Sequence, residues 1–101
     1  MGGEVPAKVE YEDEFVVGFR DVNPGAPVHL IMVPRKHISG LGKVSEEDVD
    51  LLGRIQLAIS KAAQKLGVSD GFLVNLNAGY FQEVPHIHYH LKGGFKKGGV
   101  E

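Results

Sequence analysis

The 101-residue sequence has no cysteine, which excludes a disulfide framework and any zinc site built on thiolates, and fits a reducing compartment. It also lacks an excess of charge of either sign. Eleven Lys and Arg against thirteen Asp and Glu leave a net charge of −2, so nothing electrostatic favours general binding to nucleic acid or to an anionic membrane surface. Long apolar runs are missing too. The longest, Val28 to Pro34, is interrupted by His29 and is far too short to cross a bilayer. The opening Met1-Gly2-Gly3-Glu4-Val5-Pro6 has no basic, apolar leader, so the expected location is the cytoplasm. Fourteen glycines fall at turns and near the termini rather than in a repeat. Residues 1–101 are expected to form one domain, with about 93–101 as a flexible C-terminal tail. A chain this small buries a modest share of its surface and would gain from pairing with a second copy.

Residues Ala7 to Tyr11 and Phe15 to Phe19 are predicted strands of a hairpin, with the acidic Glu12-Asp13-Glu14 as its turn. Asn23-Pro24-Gly25 predicts a second turn, and Val28 to Val33 a buried strand closed by Pro34. Arg35 to Val44 is expected to be loop, with a short helical turn around Leu41. One long helix should follow, from Ser45 to about Leu66. Ser45 is a good N-cap, Glu46, Glu47 and Asp48 place negative charge at the dipole's positive end, and Gly67 suits the C-terminal stop. Val49, Leu52, Ile55, Ile59, Ala62 and Leu66 recur at three- and four-residue spacing and predict one apolar stripe. Phe72 to Leu76 and His86 to Lys92 complete five strands, with Asn77-Ala78-Gly79 as a turn. Three strands before the helix and two after it predict an α+β fold, a five-stranded sheet covered by one long helix.

The segment Val84-Pro85-His86-Ile87-His88-Tyr89-His90-Leu91 alternates imidazoles with apolar side chains. A strand repeats every two residues, so the three histidines share one face and Ile87, Tyr89 and Leu91 the other. With five histidines in the chain, such an alternation arises by chance only roughly once in a hundred sequences, so a functional origin is favoured over a merely solvated sheet face. Two chemistries compete. Zinc takes His-x-His plus a third ligand, but the outer pair stand about 13 Å apart along a straight strand, so further ligands would have to come from elsewhere. Alternatively the central imidazole attacks phosphorus: a histidine with a pKa near its usual value of about 6.5 is largely neutral and needs no separate base. Spacing alone leans to the second reading and leaves the first open.

The run Gln82-Glu83-Val84-Pro85-His86-Ile87-His88-Tyr89-His90-Leu91 resembles the signature of the histidine-triad family, His-φ-His-φ-His-φ-φ with φ apolar. Further segments match in order: Val5-Pro6-Ala7, Phe19-Arg20-Asp21-Val22-Asn23-Pro24, Ala26-Pro27-Val28-His29-Leu30, Val33-Pro34-Arg35-Lys36-His37-Ile38-Ser39 and Asn77-Ala78-Gly79. The closing Leu91-Lys92-Gly93-Gly94 is similar to the nucleoside phosphoramidase branch. The resemblance implies an antiparallel sheet and a homodimer whose two sheets join into one of ten strands. It implies hydrolysis of the P–N bond in purine nucleoside 5′-phosphoramidates, with no cofactor or metal. By motif position His88 is the nucleophile and His90 contacts phosphoryl oxygens and assists the leaving group. His86 orients His88 through its carbonyl, and His29 buttresses His86. Asp21 binds the ribose hydroxyls and Val22 packs on sugar or base, while Asn77, Gln82, Glu83 and Val84 line the phosphate pocket.

The chain departs from the family pattern in several places. It starts further in than members usually do, the loop between Asn77 and His86 is shorter, Phe81 replaces a glycine before Gln82, and Glu83 stands where some relatives have serine. A phenylalanine at a position that uses positive φ would be strained. These departures motivate two alternatives: a nucleotide-binding module without efficient catalysis, and the zinc site. Phe15, Phe19 and Val22 are candidates for a purine slot, with core as the bland reading of both phenylalanines. His37 is expected to be a surface residue, and Lys96-Lys97 a solvated tail.

Overall fold

The computed structural model describes residues 8–21, 26–82 and 84–94. The expected turn at Asn23-Pro24-Gly25, Val22, Glu83 and the tail beyond Gly94 lie outside them. The elements are β1 (Val9–Glu12), β2 (Val16–Arg20), β3 (Val28–Pro34), α1 (Val49–Lys65), β4 (Phe72–Asn75) and β5 (Tyr89–Gly93). Short 3₁₀ turns stand at Leu41–Lys43, Glu46–Asp48 and Gly79–Phe81. The strands make one antiparallel sheet in the order β1-β2-β3-β5-β4.

Asp13 makes the first hairpin. Its carboxylate accepts hydrogen bonds from the backbone N–H of Phe15 and Val16, both at 2.8 Å, and from the Tyr11 hydroxyl at 2.7 Å, an arrangement a short acidic side chain favours in a turn. Burial opposes the charge on Asp13, but the Tyr11 hydroxyl and the two N–H groups outweigh it and lower its pKa. Burial and the bond to Asp13 push the Tyr11 phenol up to about 12.

Ser45 starts the helical region as expected. Its backbone N–H donates to the Asp48 carboxylate at 3.0 Å and its hydroxyl accepts from Glu47 N–H at 3.3 Å. The first turn is 3₁₀ rather than α, so α1 begins at Val49. At the far end Gly67 takes φ +76° and its N–H bonds to the Gln64 carbonyl at 3.2 Å, stopping the helix.

Ile55, Ala58, Ile59, Ala62 and Ala63 of α1 pack on Val16, Leu30, Met32, Tyr89 and Leu91 of the sheet and on Ile87 just before β5. The predicted stripe is corrected at one end. Val49 is 67% exposed, because it lies about 120° from Ile55 around a helix of 3.6 residues per turn. Ala58 and Ala63, unlike Val49, do face the sheet, and their small side chains suit a close approach of helix to sheet.

Two strand boundaries also differ from expectation. The last strand begins at Tyr89 rather than His86. Gly93, expected in a loose tail, is buried in β5 opposite Val28 and Phe72. A Cβ at Gly93 would come within 2.8 Å of Val68 Cβ and 2.9 Å of its Cγ2, atoms too close to the backbone to swing aside. Gly93→Ala is therefore expected to cost about 1–3 kcal/mol through overpacking, read as a lower urea midpoint with an unchanged slope.

Candidate functional site

The register fixes which residues share the face away from the helix. Phe19 pairs with Ile31, Ile31 with His90 and His90 with Asn75, forming one row across four strands. The adjoining row runs His29, Lys92, Leu73. Directly opposed residues of antiparallel strands project to the same side, so His29 and His90 are diagonal neighbours. Burial alternates as expected: Ile87, Tyr89 and Leu91 are buried in the core while His86, His88 and His90 are half-buried on the opposite face.

The cluster divides into two hydrogen-bonded circuits. In the first, His29 Nε2 lies 2.9 Å from His90 Nδ1 and 3.6 Å from Asp21 Oδ2. The Asp21 carboxylate favours a proton on the nitrogen facing it, which makes His29 Nε2 the donor and His90 Nδ1 the acceptor. A neutral His90 then carries its proton on Nε2. This corrects the expected role of His29, which buttresses His90 and not His86. The reason is register: His29 pairs with Lys92, one step from His90 on the same face and well away from His86. His29 is 4% exposed, and burial lowers its pKa against the pull of Asp21, with Lys92 lowering it further. Burial also lowers His90, reinforced by His29, His88 and Lys92 and opposed by Asp21.

In the second circuit His88 Nδ1 is 2.8 Å from the His86 carbonyl oxygen. A carbonyl only accepts, so Nδ1 carries the proton and Nε2 carries the lone pair. The expected orienting role of the His86 carbonyl thus has its hydrogen bond. The His86 ring is held at both nitrogens, Nε2 at 3.2 Å from the Pro34 carbonyl and Nδ1 at 2.9 Å from His37 Nδ1. His37 is exposed, as expected of it, yet it belongs to this circuit. The sequence offered one signal for it, its place in Pro34-Arg35-Lys36-His37-Ile38-Ser39, and no spacing rule that joins that loop to the triad.

The remaining expected residues stand around these circuits. Asn77 is exposed, two residues beyond Asn75, whose Cα faces His90. The Gln82 side-chain N–H donors engage the Ser39 carbonyl and, at 2.7 Å, the Val84 carbonyl. Gln82 therefore closes the loop before the triad on the loop after β3. Gly40 permits that approach, since a Cβ there would meet the Gln82 amide. Val84 is exposed, and its carbonyl also accepts from His86 N–H at 2.7 Å. Phe81 is unstrained: Gly79, not Phe81, takes the positive φ of +64°, and Phe81 stands 75% exposed in the 3₁₀ turn. Phe15 packs against the core with the Arg54 guanidinium 4.4 Å above its ring, so of the two phenylalanines only Phe19 shares the histidine face.

The zinc alternative changes shape. Among the described residues the group whose ligand atoms lie within 4.8 Å of one another is Asp21, His29 and His90, which includes one triad histidine and not three. The donor types suit zinc. The two ring nitrogens, however, are 2.9 Å apart, a distance for one shared proton, whereas two nitrogens on a tetrahedral zinc stand about 3.3 Å apart. The pair fits a proton better than an ion.

Fold and site together define a small α+β protein with two imidazole circuits on the sheet face away from the helix. The family model described as scavenger mRNA decapping enzyme C-term binding matches residues 1–99. Protein HitA of Neisseria gonorrhoeae is 41% identical over 92 residues, 89% of this chain and 86% of HitA. Adenylylsulfatase HINT1 of Arabidopsis thaliana is 40% identical over 95 residues, 90% of this chain and 65% of that protein. The crystal structure of a HIT family hydrolase from Legionella pneumophila Philadelphia 1 superposes with a TM-score of 0.86 at 42% identity, covering 93% of this chain and 87% of that one. The chain belongs to the histidine-triad family.

Because the folded protein holds His29 and His90 below the ordinary histidine value of 6.5, the unfolded chain takes up protons first as pH falls. Their contribution to stability is complete above about pH 6.5 and is lost as pH drops through the depressed values. The thermal midpoint is expected to decline below about pH 6.5, and His29→Asn should make that decline shallower; a profile unchanged by the substitution would assign the slope to other groups.

Proposed function

We propose that the protein hydrolyses the P–N bond of purine nucleoside 5′-phosphoramidates through a covalent nucleotidyl-His88 intermediate. The observation that carries this reading is the pair of contacts on neighbouring rings, His88 Nδ1 on the His86 carbonyl and His90 Nδ1 on His29 Nε2, with the ring centroids 5.3 Å apart; from them we assign a lone pair to Nε2 of His88 and a proton to Nε2 of His90. In the first step His88 Nε2 attacks phosphorus, the P–N bond breaks, and its electron pair leaves with the amine, which takes the Nε2 proton of His90 in its imidazolium form and leaves that ring neutral. In the second, water attacks phosphorus, its proton passes to His90 Nε2, and the bond to His88 breaks to release the nucleoside monophosphate. Splitting one displacement into two in this way is what a nucleophile of low basicity achieves. Two inversions give retention at phosphorus.

The relatives support hydrolysis at a nucleotidyl phosphorus, one being named an adenylylsulfatase and one structural neighbour a HIT family hydrolase. In this reading Asp21 and Val22 hold the sugar, and Phe19 contributes apolar surface to the base. Asn77, Glu83 and Val84 border the phosphate, and Gln82 shapes the loop that does so. No helix among the described residues is long and apolar enough to cross a membrane, in keeping with a cytoplasmic site of action. Pairing with a second copy is part of the proposal. β4 is an edge strand with Leu73 52% and Val74 42% exposed, and a partner strand there would bury apolar surface while satisfying open backbone groups.

His88→Ala should abolish turnover of adenosine 5′-phosphoramidate and prevent formation of an acid-labile nucleotidyl adduct, whereas His90→Ala should slow release of the amine by about 10²–10⁴-fold while still permitting adduct formation. Full activity in His88→Ala would end the reading. If His88→Ala binds adenosine monophosphate normally and wild type shows no turnover, a binding module replaces the enzyme. Analytical ultracentrifugation should find twice the chain mass of 11.0 kDa, and Val74→Lys should shift it to the monomer.

A further inference from the structure

The boundary of β5 leaves His86 and His88 outside the sheet ladder, which begins only at Tyr89. Something else must hold them. The loop Pro34 to Ser39 makes four successive contacts with the segment Gln82 to Ile87. The Pro34 carbonyl lies 3.2 Å from His86 Nε2, and His37 Nδ1 is 2.9 Å from His86 Nδ1. The Ile38 carbonyl accepts from Ile87 N–H at 2.7 Å, and the Ser39 carbonyl accepts from Gln82. The loop itself is tied down on both sides. Arg35 bonds the Glu12 carboxylate at 3.1 Å and the Asp13 carbonyl at 3.0 Å, and Lys36 bonds the Asp48 carboxylate at 2.8 Å.

Within this brace the protons can be assigned. The Pro34 carbonyl accepts only, so His86 Nε2 carries a hydrogen. A neutral His86 then has a lone pair on Nδ1, and the proton between the two Nδ1 atoms belongs to His37. His37 is thus the donor that fixes the second nitrogen of the His86 ring. With one nitrogen satisfied and the other not, the ring can turn about its side-chain torsions. With both satisfied, ring and main chain are held together. The main-chain carbonyl of the same residue sets the tautomer of His88.

We infer that His37 is a positioning residue for the nucleophile: by donating to His86 Nδ1 it holds the His86 carbonyl on His88 Nδ1 and keeps the His88 lone pair on Nε2. This rests on the reading of His88 as nucleophile, but the coupling of the three rings does not, and the two can fail separately. His37→Phe keeps an exposed ring without a donor. His37→Asn restores an N–H near the place of Nδ1. In histidine-labelled protein, ¹⁵N correlation spectra should show His88 protonated on Nδ1 and His86 on Nε2 in wild type. His37→Phe should give mixed tautomers at both rings, and His37→Asn should return the wild-type pattern. With adenosine 5′-phosphoramidate, His37→Phe should lower kcat by about ten- to a hundredfold at nearly constant KM, and His37→Asn should recover most of it. Unchanged His86 and His88 tautomers in His37→Phe would overturn the inference whatever the kinetics. Shifted tautomers without turnover in wild type would leave the coupling standing and remove the phosphoramidase reading alone.

Discussion

A carbonyl oxygen cannot donate a hydrogen bond, and the proposed chemistry depends on that one-way constraint. The His86 carbonyl holds the proton of His88 on Nδ1, so the nitrogen with the lone pair is Nε2, the one the proposed attack uses. The same reasoning from acceptor to donor, begun at Asp21 and passed through His29, places the proton of His90 on Nε2. Two residues of the same type, two positions apart, thereby receive opposite tautomers from the partners of their Nδ1 atoms. Burial holds the pKa of both His29 and His90 below the ordinary histidine value, which favours neutral rings in this arrangement.

The fold serves this by giving each circuit a different support. The His29–His90 pair sits on the ladder between β3 and β5, backed by Leu30 and Leu91, both fully buried on the other face. Phe19 and Ile31 extend the row into an apolar surface. The His86–His88 pair has no ladder and is held by the loop after β3, which Arg35 and Lys36 tie to the first hairpin and to the helix start.

Much of this was legible in the sequence because it follows from period. Alternation placed the three histidines opposite Ile87, Tyr89 and Leu91, and three- and four-residue spacing found the helix, with Ser45 and Gly67 marking its ends. Val49 was misplaced because an apolar residue three before Leu52 fits the spacing while the wheel has already carried it off the sheet. The start of the last strand was misjudged because alternation continues through His86 and His88 although their hydrogen bonds run to a loop. The partner of His29 depends on register between β3 and β5, and periodicity within one strand carries no register. His37 is exposed, as its place in a polar loop predicts. Its contact with His86 joins positions 49 apart in the chain, and no local pattern reports such a meeting.

The junction at Tyr89 has a further consequence. The ladder ends at Tyr89, between the two imidazoles, so His90 is held by the sheet and His88 by the braced turn. In the proposed mechanism, changes in the turn that touch no core residue would therefore alter the distance between the attacking ring and the protonating one.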